Sequence, residues 1–184
     1  MSQLLSCAFA LTAAALLAGC VAVVPVPVPI NLGTASPPLP ARLADWPAAA
    51  RCATPAEARG SEAQALRRIN ALRAAAGVAP LATDARLRAA AQGQACDNAA
   101  RNTASHRGSD GATLMQRLKR EGYAASRGAE NVGLGYGNDA AQAVAGWQAS
   151  PGHRANLLDP RLTQMGLGYA PGGRGTWVLV MARP

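Results

Sequence analysis

Imidazole is the side chain best suited to proton transfer or metal binding near neutral pH, and this chain of 184 residues has two histidines. His106 lies in Ser105-His106-Arg107-Gly108-Ser109-Asp110-Gly111, and His153 in Ser150-Pro151-Gly152-His153-Arg154. Both stretches are polar and contain glycine. Ala129-Glu130-Asn131-Val132 falls between them and supplies a carboxylate at the entrance of a strand. Two histidines and one glutamate are donors enough for a catalytic zinc with an open position. However, the three are scattered, with no compact H-E-x-x-H spacing, so a polar network stitching loops together is an equally physical reading. Ser150-Pro151-Gly152-His153 has the form of a helix start, with Ser150 as N-cap, Pro151 first and His153 third. The positive end of the helix dipole there disfavours a protonated His153. A Ser150–His153 hydrolase is a weaker idea, because an N-cap hydroxyl is expected to be spent on a backbone amide. Asp110 sits in turn chemistry, Asn131 is expected to satisfy loop backbone, and Trp147 belongs in a core.

The elements that must carry these residues follow from periodicity. Ser61-Glu62-Ala63-Gln64 reads as a capping box, and Leu66, Ile69, Leu72 and Ala76 recur behind it at helical spacing up to Gly77. A second helix is expected from Asp84 to Asn102, with Leu87, Ala91 and Ala95 inward, and a third around Leu114 and Leu118, ending at Gly122. Ala129 to Tyr136 alternates as a strand does, Asp139 with Gln142 opens another capped helix, and Met165 to Tyr169 and Thr176 to Met181 are strands. The tetrapeptide Gly-Leu-Gly-Tyr occurs at Gly133 and again at Gly166. It is read as two strands with one crowded, side-chain-free face. Helices followed by interleaved strands and helices predict an α+β sandwich, its few strands covered on both sides. Strand order is not legible.

Ahead of this domain, Leu4 to Gly19 is apolar and uncharged, and it ends in Leu17-Ala18-Gly19-Cys20. That ending resembles a bacterial lipobox, which implies cleavage before Cys20 and lipidation of it, although Met1-Ser2-Gln3 lacks the usual Lys or Arg. A plain signal peptide with Cys20 as a bystander is the alternative. Residues 1–20 are therefore read as a lipoprotein-type signal, 21–60 as a proline-rich tether and 61–184 as the folded domain. Of four cysteines, Cys7 leaves with the signal and Cys20 takes lipid. Cys52 and Cys96 then remain to pair in an oxidising compartment, tying the segment before the first helix to the second helix, with two unpaired buried thiols as the alternative. The net charge of +8 is almost all arginine. It favours anionic envelope polymers or lipid headgroups as partners, and dispersed arginines with few aromatics argue against nucleic acid.

Taken together and in order, several motifs resemble the cysteine-rich secretory protein, antigen 5 and pathogenesis-related (CAP) superfamily in its bacterial SCP-like branch. They are Asn70-Ala71-Leu72-Arg73 with Pro80-Leu81, His106 with Asp110-Gly111, Gly122-Tyr123, Glu130-Asn131-Val132, Trp147, Ser150 to Leu158, and Met165 to Tyr169. The resemblance spans about Ala65 to Ala182. It implies a three-layer α-β-α sandwich with a small central sheet and an open cleft holding a His/Glu tetrad. His106, His153 and Glu130 match three members, while the second glutamate of the tetrad falls at Ser150. Asp110 is the candidate substitute. The resemblance further implies ligand contacts at His106, Asp110, Glu130, Asn131, Ser150 and His153, and a divalent metal such as zinc at His106, Glu130 and His153.

Two functions are carried forward. One is an exported, lipid-anchored envelope protein (periplasmic, outer-membrane or extracellular) whose cleft binds a ligand without clear catalysis. The other is a zinc-dependent peptidase or cell-wall hydrolase using His106, His153 and Glu130.

Overall fold

The computed structural model describes residues 52–53 and 55–184. The signal peptide, Cys20 and nearly all of the tether lie outside the described residues. Five helices, α1 (Ala56–Ala75), α2 (Ala85–Arg101), α3 (Leu114–Arg120), α4 (Ala140–Ala149) and α5 (Pro151–Leu157), surround four strands, β1 (Ala82–Thr83), β2 (Arg127–Leu134), β3 (Gln164–Ala170) and β4 (Thr176–Arg183). The sheet order is β1-β3-β4-β2, parallel between β1 and β3 and antiparallel elsewhere. Among the described residues no helix is long and apolar enough to cross a membrane.

The alternation of β4 divides the core into two clusters. Val178, Val180 and Ala182 face α2 and α3, where Leu87, Ala90, Ala91, Ala95 and Leu118 are buried. Trp177, Leu179 and Met181 face the opposite layer, with Ile69 of α1, Trp147 of α4 and Leu157 of α5. The result is the expected three-layer α+β sandwich. Small residues set the spacing of the first interface. A Cβ added to Gly166 would lie 2.0 Å from the Arg88 backbone nitrogen, and one added to Gly168 would lie 2.4 Å from that of Gln92. No side chain fits there, so α2 rests directly on β3.

The first Gly-Leu-Gly-Tyr departs from the repeat reading. β2 ends at Leu134, and Gly135 turns away with φ +95. Gly133 is crowded by side chains, the Tyr136 ring of its own tetrapeptide and the Trp147 indole of α4, and not by a helix backbone. The cause lies next door: β3 continues into a covered strand, whereas β2 must release the chain into the Asp139-capped start of α4.

Most helix ends sit where the sequence signals put them. Asp84 caps α2, Asn102 closes it in the left-handed conformation, and a Thr113–Gln116 capping box opens α3. α1 is the exception, because its N-cap is Pro55 and Ser61 lies inside the helix. Pro55 has the fixed φ that suits a helix entry, and the alanines after it propagate helix readily, so the turn begins before the serine. Cys52 and Cys96 are bonded, joining the segment ahead of α1 to α2 across a separation of 44 residues. Closing a loop of that size removes denatured-chain entropy equivalent to about 4 kcal/mol.

Candidate functional site

β2 is an edge strand, and successive residues on it face opposite layers. Glu130 points to the α3 side and Asn131 to the α5 side, so one short segment holds both histidines in place. Glu130 is buried, and its carboxylate is fully engaged: Oε1 lies 2.9 Å from His106 Nδ1, and Oε2 accepts from Arg117 Nη1 at 2.8 Å. Arg117 Nη2 also donates to the His106 carbonyl at 3.1 Å. An ionised carboxylate only accepts, so Nδ1 carries the proton and Nε2 is left for a ligand. The His106 side chain is 59% exposed.

On the other side, Asn131 is fully buried. Its Nδ2 donates to the His153 carbonyl at 3.1 Å, and its Oδ1 accepts from Asn156 Nδ2 at 2.9 Å. Asn156 and His153 are three residues apart on α5, which the Asn131 bonds fasten to β2. The C-terminal end of α5 is fixed by Arg73, fully buried, which donates to the carbonyls of Leu157, Asp159, Leu162 and Ala79.

The two imidazoles titrate in opposite directions. The hydrogen bond to Glu130 raises the pKa of His106 above the usual 6.5; burial opposes the rise, Glu130's charge adds to it, and Arg117 opposes it. Burial lowers the pKa of His153, and the nearby charge of His106 lowers it further. The downward direction for His153 matches the sequence reading, but its causes are burial and the other histidine. That coupling puts the two rings within electrostatic reach of each other.

Three candidates behave differently from the sequence reading. Asp110 is held by α3 and by its own turn: it forms a 2.6 Å ion pair with Arg120, and its Oδ1 accepts from the Ala112 amide at 2.9 Å. Burial pushes its pKa up, but the amide and Arg120 more than offset this and hold it below the usual range. Ser150 occupies the N-cap position of α5, yet its hydroxyl makes no capping hydrogen bond, so Pro151 alone enforces that helix start. Glu130 does not fit as a metal ligand, because both its oxygens are already committed to a cation and an imidazole. Among the described residues no group of three or more His, Cys, Asp or Glu is placed to hold a metal ion. The donors available to zinc in this cleft are two imidazoles, which is short of the three protein ligands of a catalytic site.

Arg117 and Asn156 complete the site and were not among the sequence candidates. Helical spacing carries a signal for Arg117: it falls on the face of α3 shared by Leu114 and Leu118, and a guanidinium on a buried face requires an acid partner.

Residues 66–181 match the cysteine-rich secretory protein family (CAP), and this chain belongs to that family. It is 28% identical over 119 residues to the uncharacterised protein YkwD of Bacillus subtilis (strain 168), an alignment covering 65% of this chain and 46% of that one. The chain therefore spans about half the length of this relative. Among solved structures, an extracellular SCP-domain protein of Bacillus anthracis is similar, with 28% identity and a TM-score of 0.62 over 68% of this chain and 41% of that one. An outer surface protein of Borrelia burgdorferi shares the fold at 20% identity, with a TM-score of 0.63 over 68% and 93% of the two chains.

Proposed function

We propose that this protein is exported, anchored by lipid at Cys20, and binds an organic ligand in the β2-edge cleft without catalysing its turnover. One observation carries the reading. The single cleft carboxylate, Glu130, is buried and doubly bonded to His106 and Arg117, so it serves as a positioning residue and is not available as a base or ligand. Among the described residues the two cysteines are joined in a disulfide, which removes the thiol as a nucleophile. What the site offers is a pair of imidazoles biased in opposite senses: Glu130 favours the charged form of His106, and burial favours the neutral form of His153. A group that both accepts and donates, such as a hydroxyl or a protonated acid, complements that pair.

Export and anchoring rest on the Leu17-Ala18-Gly19-Cys20 sequence, and the extracellular and outer-surface relatives favour the same placement. The ligand would then come from the cell envelope. Two experiments test the proposal. Metabolic labelling with a radioactive or alkyne fatty acid should mark the wild-type protein and not Cys20→Ala; label on both would refute the anchor. Zinc titration by calorimetry should give no stoichiometric high-affinity site, and a tight equimolar site lost in both His153→Ala and Glu130→Ala would restore the hydrolase reading.

A further inference from the structure

α2 carries two stripes of different character. Leu87, Ala91 and Ala95 are buried in the apolar cluster, while Gln94, Asp97, Asn98 and Arg101 recur at i, i+3, i+4 and i+7 and so share another face. The first three of these polar residues are buried. Burying polar side chains costs stability unless they are hydrogen-bonded. Among the described residues, the bonds these three make outside α2 all run to one place, the loop that bears His106.

The carbonyls on either side of His106 are held by the same amide. Gln94 Nε2 donates to the Ser105 carbonyl at 2.8 Å and reaches the Arg107 carbonyl at 3.3 Å. Asn98 grips Ser105 as a neighbouring strand would, with Nδ2 donating to its carbonyl at 2.9 Å and Oδ1 accepting from its N–H at 3.3 Å. Arg101 Nη2 adds a bond to the Arg107 carbonyl at 3.0 Å, and Asp97 Oδ2 pins the far end by accepting from the Ser109 N–H at 2.8 Å. The carbonyl of His106 itself is taken by Arg117 of α3 at 3.1 Å. Three consecutive carbonyls are thus held in turn by α2, α3 and α2. With the backbone suspended between two helices, the direction in which residue 106 sends its side chain is fixed, and the ring arrives 2.9 Å from Glu130 Oε1.

Such support matters because 59% of the His106 side chain is exposed. An imidazole in that much solvent exchanges rotamers and takes either tautomer unless its surroundings choose. Glu130 chooses Nδ1–H, and does so only while the loop keeps the ring against it.

We propose that Gln94 and Asn98 are positioning residues for His106: by fixing the carbonyls that flank it, they keep Nδ1 on Glu130 and leave Nε2 as the atom an incoming ligand meets. The proposal rests on the reading of His106 as a ligand-binding group.

The test is ring-nitrogen NMR of the full-length chain carrying Cys20→Ala, at a pH where His106 is neutral. Wild type should show Nδ1–H. Gln94→Met, which keeps the length of the side chain and removes its donors, and Asn98→Leu, which keeps the shape, should each move a measurable part of the population to Nε2–H. Ile69→Val removes one methylene from the opposite core cluster, so it destabilises the fold without touching the loop and should leave the tautomer as in wild type. If the α2 variants do not fold, amide exchange in wild type decides: the Ser105 and Ser109 N–H groups should exchange at least about tenfold more slowly than in a free loop. An Nε2–H wild type, an unchanged tautomer in folded Gln94→Met and Asn98→Leu, an equal change in Ile69→Val, or exchange of both amides at the free-loop rate would overturn the proposal. None of these readouts involves a ligand, so their failure is distinct from failure of the binding reading.

Discussion

His106 and His153 are held by neighbouring residues of one strand, yet they are supported in opposite ways. His106 rests on charge: a buried carboxylate and a buried guanidinium converge on its Nδ1 and its carbonyl. His153 rests on neutral amides, since Asn131 and Asn156 hold its helix and no acid is bonded to it among the described residues. The difference teaches that protonation here is set from behind each ring, by groups a ligand does not touch. An edge strand provides this because each of its faces addresses a separate layer.

The largest expected effect comes from removing the cation behind His106. Arg117→Ala leaves buried Glu130 with His106 as its one remaining partner, which should cost about 3 kcal/mol in denaturant unfolding. The Arg117 and Glu130 side chains are 1% and 3% exposed, so solvent does little to soften this loss. The matching change behind His153 should cost less. Asn131→Ala removes its bonds to the His153 carbonyl and to Asn156 Nδ2, at about 1–2 kcal/mol. Equal losses for the two variants would dissolve the distinction between a charged and a neutral support.

Smaller effects sharpen the comparison through titration. Glu130→Gln should lower the His106 pKa, since the hydrogen bond to Glu130 is the largest cause of its elevation. His106→Gln should raise the His153 pKa by removing a repelling charge, while leaving the burial contribution in place. Ring-proton NMR titration checks both, and an unmoved His153 would place the rings out of electrostatic range.

The smallest effect is on stability against pH, where the signs oppose. His106 has a folded pKa above its unfolded 6.5, so its contribution is complete below 6.5 and lost as pH rises through the raised value. His153 has a folded pKa below 6.5, so its contribution is complete above 6.5 and lost as pH falls through the lowered value. His106→Gln should flatten the alkaline side of the stability profile and His153→Gln the acidic side. Melting temperatures across pH 5 to 8 would show an inverted assignment directly.

Much of this architecture was legible from the sequence, for reasons that are local. Asp84 and Asp139 announce helix starts through side chains that bond their own first turn, and the continuous apolar run of Thr176 to Met181 announces a strand buried on both faces. The glycines at 166 and 168 signal a close approach, though only the structure identifies α2 as what approaches. What could not be read is set by distant parts of the chain. β1 is two residues long and exists because Ala82 and Thr83 meet Gln164 and Met165. The pairing of Asp110 with Arg120 depends on where α3 packs. The segments bearing His106, Glu130 and His153 were recognisable, but the commitment of Glu130 to Arg117 depends on the packing of α3 against β2.

The disulfide at the domain boundary has a mechanical consequence. A load applied to the chain on the N-terminal side of Cys52 passes through the sulfur bridge into α2, whose alanine and glycine contacts bind it flush to β3. α1 is bypassed, since it begins at Ala56, after the clamp. Tension on that segment would therefore pull on a helix seated flush against the sheet and spare the one that would otherwise peel first.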